Sequence, residues 1–70
     1  MNAIDITINA LKNRTTNKNA MFDVVLFVMD NKSLHKSIIK NKDNYTDLVH
    51  DLRGLMNNDK FFVPRVLNYK

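Results

Sequence analysis

The chain of 70 residues has no cysteine, no tryptophan, one glycine and one proline. Without cysteine there can be no disulfide and no thiolate zinc site, the staples on which many small folds depend. A chain of this size buries only about 60% of its unfolded surface. It must therefore rely on side-chain packing or on a partner subunit. A single glycine leaves no phosphate-cradling glycine loop. With Gly54 and Pro64 as the only strong turn formers, an all-β fold and its many chain reversals are disfavoured.

Glutamate and glutamine are absent too. All seven acids are aspartate, and asparagine occurs eleven times. That mix suits A/T-rich coding, as in many viral or mobile-element genes. Long hydrophobic runs are missing: the longest, Val24 to Met29, falls far below the roughly 20 residues that span a bilayer. The opening MNAIDITINA lacks a basic segment leading into an apolar one, so a secretory signal is not expected. The absence of thiols suits a reducing compartment, and the expected location is cytoplasmic.

What is present is an ordinary share of hydrophobic residues, 44%, with a formal charge of +4. The hydrophobic share supports a folded chain, and the charge makes nucleic acid a natural thought. There is no repeat and no flexible linker, so one small domain over 1–70 is expected. The patterning predicts an all-α fold, a small bundle of about four short helices with an apolar C-terminal tail. The alternative is α+β with strands near 3–9 and 22–29, because Ile4, Ile6 and Ile8 alternate with polar residues and 22–29 is almost wholly apolar.

The first helix is expected over Ala3 to Asn13, capped by Asn2, with Asp5 in its first turn and Ile4, Ile8 and Leu11 on one face. The second is expected over Ala20 to Asp30, capped by Asn19. It is apolar on nearly every side, and such a helix needs cover all round. The third runs from Leu34 to about Lys40 behind Ser33 as cap, with Leu34 and Ile38 facing inward. The fourth covers Asn44 to Asn57, where Tyr45, Leu48, Val49, Leu52, Leu55 and Met56 follow helical spacing. Asp43 or Asn44 caps it and Asn57-Asn58 stops it. Asp47, His50 and Gly54 fall outward, with Asp43 and Asp51 at the edges. The tail, FFVPRVLNYK, cannot continue as a regular helix through Pro64, yet it is too apolar to dangle in water and should dock on the bundle or on a neighbour.

Lys32, Lys36 and Lys40 share one face of the third helix. With Lys42 they suggest a basic face for phosphates, and the second and third helices together imitate a helix-turn-helix. Lysine and serine hold phosphates but read little sequence. Base-reading helices usually present Arg, Asn or Gln, and only Asn41 qualifies here. Asp43, Asp47 and Asp51 repeat the same spacing on the next helix and would cancel the field if they shared its surface.

Catalytic chemistry is not expected. Ser33 and Ser37 are the only serines and read as cap or surface residues, with no base and orienting group assembled around them. His50 between Asp47 and Asp51 resembles a weak metal cluster, but nothing completes the shell; no metal and no cofactor is expected. His35, beside apolar positions, reads as a partly buried, hydrogen-bonded residue. The remaining feature is an excess of large apolar side chains over what four short helices hide. It points to a non-enzymatic protein-binding module, an inhibitor or adaptor of viral or mobile-element type. Such a module would bind a protein partner, form a homo-oligomer, or both. The expected interface is Phe22, Leu26, Phe27, Phe61, Phe62 and Tyr69, with lysines steering the approach. The alternative is a DNA- or RNA-binding regulator using Lys32, Lys36, Lys40 and Lys42.

Overall fold

The computed structural model describes residues 2–57 and 60–68. Four helices follow in order: α1 (Ala3–Leu11), α2 (Lys18–Asp30), α3 (Lys32–Lys40) and α4 (Tyr45–Asn57). Among the described residues there is no strand, and both segments of the α+β alternative are helical. The Cα radius of gyration, 10.7 Å, matches the roughly 11 Å of a well-packed domain of this length. The apolar surface described below therefore belongs to a closed fold.

Helix α1 packs against all three other helices, as does α2. The Asn2 side chain accepts the Asp5 N–H at 2.9 Å and so satisfies one open donor of the first turn. The inward face differs from the expected Ile4, Ile8 and Leu11. Ala3, Ile6, Thr7, Ala10 and Leu11 are buried, while Ile4 and Ile8 are only half-buried. A helix with neighbours on three sides buries a broad arc, and two alanines let those neighbours approach closely. The buried Thr7 hydroxyl donates to the Ala3 carbonyl at 2.8 Å, so it costs the core no unpaired polar group.

Helix α2 starts earlier than expected. Asn17, not Asn19, is its cap, accepting the Ala20 N–H at 3.0 Å. Helix α3 starts at Lys32 with Asn31 at its cap position and no side-chain cap bond, so Ser33 lies inside the helix. A single residue separates α2 from α3, which leaves no room for a separate cap. Leu34 and Ile38 are fully buried, as their spacing required. His35 is half-buried, its Nε2 hydrogen-bonded to the Val28 carbonyl at the end of α2.

Helix α4 carries Leu48, Val49 and Leu52 into the core, with Leu55 and Met56 packed at its margin. Tyr45 is partly exposed and holds the Arg14 guanidinium 4.8 Å from its ring centre. The helix ends at Asn57, and the expected stop at Asn58 lies outside the described residues. The tail docks: Leu67 is 4% exposed and Val66 packs on the core cluster.

Candidate functional site

The outer face of α2 is an apolar surface. Its buried residues are Val24, Val25 and Val28. Phe22 is 60% exposed, Met29 52% and Leu26 42%. These three are four and three residues apart and share one stripe, so the helix that needed cover all round receives it on one side only. Phe27, also exposed, lies farther round the helix beside Asp23. Of the other expected interface residues, Phe61 is 80% exposed. Phe62 is drawn onto α4 instead: its ring lies over Gly54 and tilts against His50 with centroids 5.3 Å apart. A Cβ at Gly54 would overlap that ring, so the one glycine, expected on an open face, is the seat of an aromatic side chain. Tyr69 lies outside the described residues.

The second surface is a groove of about 540 Å³ between α3 and the tail. Lys32, Lys36 and Lys40 line it with Ser33, Ser37 and Asn41, and Val66 and Asn68 form the far wall. Among the described residues no acid contributes to this lining. Lys42 is exposed in the turn before α4 and takes no part. The wall is held in place by α3 itself: the Ser37 hydroxyl donates to the Val66 carbonyl at 2.9 Å, and the Asn41 amide donates to the same carbonyl at 3.5 Å.

The aspartate series does not form the exposed row expected from its spacing. Asp43 is exposed, but Asp51 is completely buried. Its carboxylate accepts the backbone N–H groups of Arg65 (2.9 Å to each oxygen), Val66 (2.7 Å) and Leu67 (3.0 Å). The His50 Nδ1 lies 2.8 Å from the same carboxylate and must carry a proton, because a carboxylate only accepts. Asp47 is likewise occupied, 3.3 Å from the Arg65 guanidinium and 3.0 Å from the Asn44 amide. Asp51 therefore straps the tail to α4, while Ser37 ties the same tail to α3.

Burial by itself would push the Asp51 carboxyl up. The N–H groups of Val66, Arg65 and Leu67, then His50, outweigh it and hold the group below its ordinary value of 3.8. Sequence reading missed this role because the partners are backbone groups 14 to 16 residues away. The available signal was the tail: a short non-helical apolar stretch must place its N–H groups somewhere.

His50, hydrogen-bonded to Asp51, lines an open groove of about 400 Å³ with Thr46, Arg53, Asn57 and Arg65. Such a pair fixes an imidazole tautomer. Here the carboxylate is already committed to the tail, and the groove lining offers no serine or cysteine. Among the described residues no three His, Cys, Asp or Glu side chains are grouped to hold a metal ion, and no helix is long and apolar enough to cross a membrane. A scan against protein-family models gave no match, and comparisons with curated proteins and with solved structures gave none either.

Proposed function

We propose that this chain is a non-enzymatic binding module that works by associating with protein through the outer face of α2. One observation carries the reading. Six large side chains (Leu11, Val28, Leu34, Ile38, Leu48 and Leu52) are fully buried, yet Phe22, Leu26 and Met29 stand in water as one stripe. A bundle able to dry its core so completely has no folding reason to leave a phenylalanine 60% exposed, and exposed apolar patches mark association sites. Met29 adds a side chain that adapts to a partner's contour. The test is affinity capture from host lysate, with and without nuclease, comparing wild type with Phe22→Asp. Capture that survives nuclease and is lost in Phe22→Asp, at unchanged helix content, supports the reading. Equal capture by the two proteins removes it.

A second reading is phosphate binding in the α3 groove, favoured by the three lysines that line it with no acid among the described residues. Two of the three aspartates that would weaken this field are engaged elsewhere, Asp51 under the tail and Asp47 on Arg65, while Asp43 is exposed. For a duplex ligand, log affinity should fall with log salt by about 0.9 per phosphate neutralised. Lys36→Asp with Lys40→Asp should abolish retention. Binding that ignores both salt and this double change would exclude the groove.

A further inference from the structure

Helix α2 contains a row at four-residue spacing that runs from its first residue to its last: Lys18, Phe22, Leu26, Asp30. All four side chains are exposed. The row reads cation, apolar, apolar, anion, and it is symmetric about Val24: Lys18 and Asp30 lie six residues to either side, Phe22 and Leu26 two. Such a row is complementary to its own reverse. Laid against an antiparallel copy, each Lys18 meets an Asp30 and each Phe22 meets a Leu26.

The charges also lie the wrong way round for the helix that carries them. A helix N-terminus is partly positive and favours an acid; its C-terminus is partly negative and favours a base. Helix α2 has no acid in its first turn and no base in its last. It begins with Lys18 and ends with Asp30. Among the described residues the Lys18 ammonium donates to the Lys12 carbonyl alone, 3.2 Å from Nζ, and an ammonium carries three N–H donors. An antiparallel neighbour reverses the mismatch, since each Lys18 then lies at the negative end of the second helix and each Asp30 at the positive end.

Four-spaced rows are inclined to the helix axis, so aligning two of them crosses the helices at about −50°, the commonest packing class in globular proteins. In that arrangement Met29 flanks the contact on one side and Asp23 stays at the wet rim on the other.

We infer that the outer face of α2 is a self-association surface, on which a second copy of this chain packs antiparallel about a two-fold axis between Phe22 and Leu26, level with Val24 on the buried side, with reciprocal Lys18–Asp30 pairs closing the ends. The inference rests on the protein-binding reading above and names its partner. One helix face per copy, about 20 Å long, belongs to the small end of interface sizes. The dimer is therefore reversible and depends on concentration.

The test is sedimentation of wild type, Lys18→Asp, Asp30→Lys, and an equimolar mixture of the two variants, from micromolar to millimolar concentration. Far-UV circular dichroism confirms that each is folded. Wild type should dimerise. Each single variant places like charges at both ends and should associate about tenfold more weakly or worse. The mixture restores opposite charges and should form a heterodimer. A wild type that stays monomeric throughout overturns the inference, and so do single variants that dimerise as well as wild type. The capture assay with Phe22→Asp separates the two levels. A monomeric wild type whose captured protein is lost in Phe22→Asp leaves the binding reading standing and assigns the face to a different protein.

Discussion

Replacing Asp51 should do far more damage than its position among the polar residues of α4 suggests. Its carboxylate is completely buried and accepts three tail N–H groups and the His50 ring. A hydrogen bond to a charged acceptor contributes about 1.5–3 kcal/mol net, and each buried N–H left unpaired costs about 1–3 kcal/mol. With the tail in place, Asp51→Ala would then cost up to ~9 kcal/mol from three orphaned donors. The chain can avoid that cost by releasing the tail. Release forfeits the burial of Leu67, about 1.5–3 kcal/mol, and the Ser37 bond to Val66, about 1 kcal/mol. The smaller loss sets the outcome, so the expected destabilisation is about 2.5–4 kcal/mol. A domain of this length has only roughly 4–10 kcal/mol in total. Asp51→Asn should cost nearly as much, because its amide nitrogen is a donor facing donors.

The same strap gives a signed pH dependence. The folded Asp51 carboxyl lies below its ordinary 3.8, so the native state binds fewer protons than the unfolded one. Its contribution is complete above the unfolded value and disappears as pH falls through the folded one. Urea unfolding across acid pH, with hydrogen exchange at the amides of Arg65, Val66 and Leu67, reads both effects. Wild type should lose stability as pH drops below about 4, and Asp51→Asn should lack that component. If Asp51→Asn changes stability by less than ~0.5 kcal/mol, as an ordinary surface substitution would, and the three amides keep their protection, the strap argument is wrong.

Two further substitutions probe the fold around the tail and the first loop. Gly54→Ala in an otherwise regular helix should gain up to about 1 kcal/mol, but here the new methyl displaces the Phe62 ring. It should be neutral or destabilising in wild type and stabilising in a Phe62→Ala background, by equilibrium unfolding of the four proteins of the cycle. Arg14→Ala should cost about 0.5–1 kcal/mol through its lost contact with the Tyr45 ring; in a Tyr45→Leu background the cost should largely vanish.

The readable parts of this chain were those decided within one or two turns of helix. Leu34 and Ile38, or Leu48 and Leu52, share a helix face by spacing alone, and all four are fully buried. Asn2 is an N-cap because it precedes an apolar segment with Asp5 three residues on. The exposed Phe22 and Leu26 and the lysine row on α3 followed from counting apolar side chains and from periodicity. The start of α2 was misplaced because Asn17 and Asn19 are chemically equal candidates, and only packing chooses between them. The seat of Phe62 on Gly54 was not legible because it is a long-range fit.

Local order along the chain thus settled that four short helices form, which faces turn inward at α3 and α4, and that α2 carries more apolar surface than a bundle can hide. Three-dimensional packing alone settled that α1 and α2 each meet all three other helices, and that Asp51 is a buried anchor for the tail and not one of a row of surface acids. The physical reason is range. Helical periodicity and capping act over three or four residues, whereas a carboxylate that binds backbone N–H groups 14 to 16 residues away depends on where the folded chain returns, and no local pattern of side chains encodes that.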